Sequence, residues 1–379
     1  MDPASRRPEP FRAGFHVPSA PVTAFHGDLA GSSGELRVVD PRGDAAWDEK
    51  VARAFPAATT FFERAWAEVL VETYGYLPLY LQQESAGEIR QLLPLCEVDS
   101  WMTGKRGVSL PFTDACPALG ATPAGADSLY QSLFRLGRER GWRYVEVRGS
   151  PPRLAADVPS VSFHGHTLAL GRSPAELFSG FDSAVRRAVR KAENEGVTVA
   201  FETSLAAVRI FYHLLRKTRT RHGLPPQPWR FFAAIHRHII ARGKGSIVIA
   251  RHRENPVAAA VFFTSGRHVL YKFSASDETH QQVRGNNLVI WRAIERYNGE
   301  GFLRLDFGRT SLGNEGLRRF KLSWGTAEHA LHYYRYDLRT GAVIATPDKA
   351  SEGLHTRMFR ALPQPLTRLI GAAAYKHLG

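Results

Sequence analysis

The run Gln282-Val283-Arg284-Gly285-Asn286-Asn287 lies between a strand-like segment, His268 to Ser274, and an apolar-periodic segment, Leu288 to Tyr297, that reads as a helix. At a helix start the first backbone N–H groups have no intrahelical acceptor and the helix dipole adds partial positive charge, so a loop there can hold an anion. The matching guest is a phosphate or pyrophosphate of an activated donor, and the chemistry is group transfer; the competing reading is an ordinary turn. Within the run, Arg284 can touch the anion directly, Gly285 lets the backbone come close, and Asn286 or Asn287 can cap the helix.

Other chemical constellations are weaker. His164-x-His166 puts two imidazoles on one strand face, but no third ligand follows at a typical spacing, so no metal is expected. Arg242-Gly243-Lys244-Gly245-Ser246 lacks the spacing of a phosphate loop and precedes a strand, which makes it a turn. Neither a G-x-S-x-G elbow nor an H-E-x-x-H motif occurs. Cys96 and Cys116 form no C-x-x-C pair and are expected to be buried free thiols, not a disulfide framework.

The elements that must position the loop fall into two α/β units. Residues 1–35 mix Pro, Gly, Ser and charge without periodicity and read as a mobile tail. In the first unit, 36–160, the spacing predicts a helix from Thr60 to Tyr74, strands over Leu77 to Gln83 and Glu88 to Val98, a helix from Ala126 to Arg140 and a strand from Tyr144 to Val147. Ser150-Pro151-Pro152 marks the boundary. The second unit, 161–345, reads β-α-α-β-β-β-α-β-α-β: a strand at His166 to Leu170, a helix capped by Asp182 and stopped at Gly196, helices from Ser204 to His222 and Trp229 to Arg242, then strands over Ser246 to Arg251, Val257 to Phe263 and His268 to Ser274. After the loop and its helix come a strand at Phe302 to Phe307, a short helix near Glu315 to Leu322 and a strand at Ala330 to Tyr336. Residues 346–379 form a basic amphipathic segment that either packs on the protein or touches an anionic membrane.

The length of 379 residues suits two domains, and a hydrophobic content of 44% suits real cores. Fifty Lys and Arg against 36 Asp and Glu give a net charge of +14, which favours polyanionic partners: nucleic acid, an anionic leaflet or nucleotide-bearing substrates. No apolar h-region follows Arg6 and Arg7, and no apolar run is long enough to span a bilayer, so a soluble, cytoplasmic protein is expected.

The element order with its Q-x-x-G-x-small loop resembles the GNAT acyltransferase fold, although Asn287 departs from the usual Gly or Ala. Three further segments, Arg186 to Gly196 (RRAVRKAENEG), Asp306 to Thr310 (DFGRT) and Gly316 to Gly325 (GLRRFKLSWG), look like the FemAB-type branch, the peptidoglycan interpeptide-bridge transferases and their exosortase- and exopolysaccharide-associated relatives. That resemblance implies an α/β (α+β) protein of two tandem GNAT-like domains, the first degenerate, each a mixed, mainly antiparallel sheet flanked by helices. It implies an N-acyltransferase moving an acyl or aminoacyl group from acyl-CoA or aminoacyl-tRNA, without a metal, to an amine of a lipid- or nucleotide-linked peptide or saccharide precursor of the cell envelope. The implied partners are that acceptor, tRNA and, peripherally, the inner face of the cell membrane.

Splaying of two central strands opens the cleft in that fold, which puts Tyr271, Ser274, Asp306 and Arg309 near the reaction centre. Asp306 is the candidate to orient or deprotonate the amine, unless it is paired with Arg309 or Arg284; Lys321 matches the FK motif and would face a donor phosphate or an oxyanion; Tyr271 completes the catalytic set. Gln282, Arg284, Gly285, Asn286 and Asn287 are the donor-binding candidates. Arg309, Arg319, Ser274 and Arg190 are the substrate-binding ones, although Arg186, Arg187, Arg190 and Lys191 read first as a solvated helix face. The alternative function is a non-catalytic RNA- or membrane-binding protein on a GNAT scaffold.

Overall fold

The computed structural model describes residues 35–120, 123–149, 158–345 and 374–377, with the backbone alone for 123–127. Most of the expected N-terminal tail, the boundary at 150–152 and all but 374–377 of the C-terminal amphipathic segment lie outside the described residues.

The first unit runs β1 (Glu35–Val39), α1 (Trp47–Ala54), α2 (Arg64–Tyr74), β2 (Leu77–Pro78), β3 (Tyr80–Ser85), β4 (Glu88–Leu93), β5 (Cys96–Val98), β6 (Arg106–Val108), α3 (Pro123–Glu139) and β7 (Tyr144–Arg148). The second runs β8 (Val161–Ala169), α4 (Pro174–Ser179), α5 (Ser183–Asn194), β9 (Thr198–Glu202), α6 (Leu205–Arg221), α7 (Trp229–His238), β10 (Gly245–His252), β11 (Asn255–Ser265), β12 (His268–Ser276), α8 (Gly285–Gly299), β13 (Arg304–Ser311), α9 (Glu315–Leu322) and β14 (Ala327–Asp337).

Several expectations shift. The helix expected from Thr60 begins as a 3-10 turn, Thr60–Phe62, and Glu63 is extended before α2 starts. Phe61 and Phe62 are both buried, and a continuous helix would turn adjacent side chains about 100° apart. In the first unit β1, α1 and β6 escaped the sequence pattern, and in the second β9 and α4 did. The edge strand β9 is nowhere fully buried and so shows little alternation, and the one-and-a-half-turn α4 is set by its capping box, Ser173 with Glu176. The β10–β11 turn is made by Arg253 and Glu254, both left-handed (φ 48° and 66°), so Asn255 and Pro256 already belong to β11.

Eleven strands form one sheet in the order β2-β5-β6-β7-β14-β8-β13-β12-β11-β10-β9, and β1-β3-β4 form a smaller one. Among the described residues only β6–β7 and β12–β13 pair in parallel, and every other strand pair is antiparallel. The large sheet runs through both units, because β14 pairs with β8 on one side and with β7 on the other.

Strands β10 and β11 are apolar on both faces, as a central sheet covered on two sides requires. Ile247 and Ile249 join the core against α2, α6 and α7, while Val248 and Ala250 join the core against α5 and α8. Trp66 of α2 packs edge-on against Phe231 of α7 at 6.1 Å and lies 6.2 Å from Phe263 of β11, which locks the first unit onto the second. Cys96 and Cys116 are buried and free, as expected.

Strands β12 and β13 pair only from His268–Arg304 to Leu270–Asp306. Beyond that point β12 continues to Ser276 and β13 to Ser311 without pairing to each other, so the sheet opens where the candidate residues cluster.

Candidate active site

The first half of the site is a cleft of ≈ 670 Å³ between α5 and the start of α8. Arg284 takes a left-handed conformation (φ 56°) and is the residue before α8, without a side-chain cap. Among the described residues the N–H groups of Gly285 and Asn286 find no acceptor, whereas those of Asn287 and Leu288 already bond Arg284 O at 3.0 and 3.4 Å. Arg187, Lys191, His280, Gln281 and Arg284 line the same cleft, so unpartnered donors and cations converge on one space.

The loop residues divide by role. A Cβ on Gly285 would stand 2.8 Å from Val257 Cγ2, so this glycine lets α8 settle onto β11. Neither Asn286 nor Asn287 caps the helix, contrary to expectation; both line the cleft from inside its first turn. Gln282 is exposed and does not line the cleft, where Gln281 stands instead. Asp277 anchors the loop by accepting from Lys217 Nζ at 2.6 Å and from the Thr279 N–H at 3.1 Å, and the Lys217 bond is the main cause holding its carboxyl down at about 2.

A chamber of ≈ 410 Å³ lies at the strand splay, with Ser276, Asn286 and Phe320 lining both it and the cleft. Lys321 of α9 is 4% exposed and donates to Gly308 O and Arg309 O, both at 2.9 Å. It is therefore no surface lysine. Burial lowers its pKa to about 8 against the opposing pull of Asp114 and Asp306. The β13–β8 register shifts between Asp306 and Arg309, and Gly308 is left-handed (φ +68°); that kink belongs to the two consecutive carbonyls that Lys321 binds.

The pattern reading missed two residues of the chamber. Asp114, from the first unit, accepts from Lys272 Nζ at 2.9 Å and lies 3.9 Å from Arg309 Nε. Lys272 also donates to Phe112 O at 2.8 Å and sits 4.9 Å from the Phe61 ring. Burial pushes Lys272 down and Asp114 up, but the neighbouring cations more than offset burial at Asp114, whose carboxyl ends below its ordinary value. The loop carrying Asp114 includes two left-handed non-glycine residues, Leu110 (φ 52°) and Phe112 (φ 62°), a strain sustained only by tight surroundings. A lysine inside the otherwise apolar run Val269-Leu270-Tyr271-Lys272-Phe273 was the available signal; Asp114 had none.

Tyr271 and Ser274 both border the chamber. Burial pushes the Tyr271 hydroxyl up to about 12 despite hydrogen bonding with Ser274 and Asn286, so it is a neutral donor at neutral pH. Arg309 stands at the chamber's edge, donating to Tyr333 Oη at 2.8 Å and lying over the Phe163 ring at 4.5 Å. Asp306 is turned to the other face of β13. It accepts from the Gly308 N–H at 2.7 Å, and its cationic partner is Arg304 at 3.7 Å, not Arg309 or Arg284. Burial, reinforced by Asp114, raises its pKa.

Arg319 and Arg190 border neither the cleft nor the chamber. Arg319 is exposed and reaches back to Glu315 O at 3.4 Å; Arg190 lies over the Phe178 ring at 5.7 Å on the open face of α5. His164 and His166 both contact Glu328, at 3.3 and 3.1 Å, and Arg318 holds the same carboxylate with bonds of 2.8 and 2.9 Å. The two imidazoles thus brace α9 against the sheet. Among the described residues no group of three or more His, Cys, Asp or Glu is arranged to hold a metal.

Residues 179–322 match the family model described as acetyltransferase (GNAT) domain. The fold of this chain is similar to that of FemX, with a TM-score of 0.61 at 13% identity over 78% of this chain and 96% of that one. A tandem GNAT protein from the clavulanic acid biosynthesis pathway matches with a TM-score of 0.50 at 14% identity, over 80% of this chain and 98% of that one. So does the C-terminal domain of a protein designated a lysylphosphatidylglycerol synthetase from Agrobacterium fabrum, with a TM-score of 0.50 at 12% identity, over 80% and 93% of the two chains. No curated protein sequence matches the chain. These likenesses are of fold, and the expected fold class, a mixed α/β protein with a large, mainly antiparallel sheet flanked by helices, stands. No helix among the described residues is long and apolar enough to cross a membrane.

Proposed function

We propose that this GNAT-fold acyltransferase moves an acyl or aminoacyl group from a phosphate-bearing donor, an acyl-CoA or an aminoacyl-tRNA, to an amine on a lipid- or peptidoglycan-linked cell-envelope precursor. The observation that carries this reading is that the cationic cleft at the α8 N-terminus and the chamber at the strand splay share Ser276, Asn286 and Phe320 in their walls. Such an arrangement suits a donor whose phosphate end binds at Gly285, Asn286 and Arg284 while its acyl end reaches the strand splay.

In this reading Tyr271 and Asn286 present neutral donors to the acyl end, and Lys321 faces the negative charge that grows on the carbonyl oxygen as the amine nitrogen bonds to carbon. The N–C bond forms, the C–S or C–O bond to the donor breaks, and the amine proton leaves toward Asp114, the carboxylate that borders the chamber, while Asp306 stands on the far side of β13. The fold likeness to FemX and to a lysylphosphatidylglycerol synthetase domain supports an envelope acceptor, and the net charge of +14 supports work beside anionic polymers or lipids. A cytoplasmic protein at the inner face of the membrane follows from that acceptor.

Incubation with labelled acetyl-CoA and, separately, with charged tRNAs, each with an envelope-precursor fraction, tests the proposal. Label is expected in the precursor from one donor, and Arg284→Ala is expected to weaken that donor's binding about tenfold, the worth of one charge-assisted contact. Failure of both donors to bind, or equal binding by the variant, sinks the donor site. Donor binding without transfer, steeply weakened by salt, would favour a non-catalytic RNA-binding role instead.

A further inference from the structure

A second cavity, of ≈ 170 Å³, lies between the two units at the foot of β12 and β13, below the point where they part. Its walls are mainly apolar, with Phe61 and Phe62 from the first unit and Phe263, Leu270 and Leu331 from the second. Polar groups interrupt that wall, Arg304, His268 and His329 among them. Asp306 accepts from the Gly308 N–H at 2.7 Å but has its cation, Arg304, no closer than 3.7 Å, and the Thr59 hydroxyl is buried with no hydrogen-bond partner. Asp114 borders both this cavity and the chamber, and its 2.9 Å bridge to Lys272 stands between them.

The cavity has about a quarter of the volume of the donor cleft, so it admits one compact group and no nucleotide. Its chemistry selects that group. Aromatic and aliphatic walls favour a short apolar stem, and Asp306, which has no close cation, with an unpartnered hydroxyl favours a cationic, hydrogen-bond-donating end. Phe61 already borders a buried cation, Lys272 Nζ, at 4.9 Å. An ammonium beside Asp306 would supply the short partner that Arg304 does not.

We propose that this cavity between the units binds the amine end of the acceptor, a primary ammonium on a short apolar stem. The word acceptor rests on the transferase reading; the binding of the amine does not. The location beside the last paired residues of β12 and β13 lets a bound amine approach the splay from the side opposite the donor cleft.

Calorimetric titration of the full chain with n-butylamine, and with 1-butanol as the uncharged control, reads this binding with no donor present. The amine is expected to bind roughly tenfold or more tightly than the alcohol, the factor one charge-assisted hydrogen bond provides. Asp306→Asn is expected to erase that preference, and Ala115→Leu, which fills the cavity from the first unit, to abolish binding of both probes. If Ala115→Leu does not fold, Ala57→Leu fills the same space from another segment. Equal affinity for amine and alcohol, or undiminished amine binding in the folded filling variant, overturns the proposal. Parallel titration with acyl-CoA and aminoacyl-tRNA judges the transferase reading separately: amine preference without donor binding leaves the cavity assignment standing and removes the donor site.

Discussion

The donor cleft and the chamber beside it are built in opposite ways. The cleft is made from a loop, a helix start and the facing side of α5, with its cations at an open surface. The chamber is made from side chains far apart in sequence, with the one carboxylate of Asp114 held against the largely buried lysines Lys272 and Lys321. An open anion site needs only backbone N–H groups and solvated cations, whereas a buried charge must find its partner before the fold is stable. Donor recognition can therefore change at little cost to folding, and the chamber cannot.

Asp114→Ala is the variant most able to break this contrast. It leaves Lys272 and Lys321 buried without their shared carboxylate and is expected to cost about 3–5 kcal/mol of stability, measured by urea unfolding. A loss under about 1 kcal/mol would mean that water already relieves those charges, and that the chamber is no more demanding than the cleft.

Next in size is Lys321→Ala, expected to lower turnover about 10²- to 10³-fold, as loss of an oxyanion-stabilising donor does, with donor affinity unchanged in direct binding measurements. Its pH behaviour sharpens the point. The folded pKa of about 8 lies below the ordinary 10.5, so between these values the unfolded chain keeps a proton that the folded chain has released. The burial penalty is complete below about pH 8 and is relieved as pH rises through that window. Stability should thus improve on the alkaline side while activity, which needs the charged lysine, declines from about pH 8. Lys321→Arg should remove that decline; an identical pH profile in the arginine variant would detach Lys321 from the chemistry.

The smallest expected effect sharpens the cleft side. Gly285→Ala places a Cβ 2.8 Å from Val257 Cγ2 and should cost about 1–3 kcal/mol by overpacking, while weakening donor binding through a displaced α8. Unchanged thermal stability would show that α8 already has room at β11.

How much of this was readable from the sequence follows from the same contrast. The loop before α8, the helices and most strands of the second unit are local patterns, and residues 282–287 pointed to the cleft even though Gln282 turns outward and Gly285 serves packing. Lys321 was found through a motif, but its burial and its bonds to Gly308 O and Arg309 O depend on a kink in β13 that no spacing announces. Asp306 was found as well, yet strand alternation around that kink turns it to the opposite face. Asp114 was out of reach, because its position depends on the strained loop at Leu110 and Phe112 and on docking of one unit against the other.

The ladder of β14 between β7 and β8 bears on how the molecule can move. Opening the two units like a book would tear backbone hydrogen bonds along Tyr333–Asp337 or Ala327–Tyr333 and expose bare strand edges to water. The protein is in this respect a stiff plate without a hinge along that line, so the exchange of ligands falls to loops and side chains at its surface, and its rhythm would be set by those small gates.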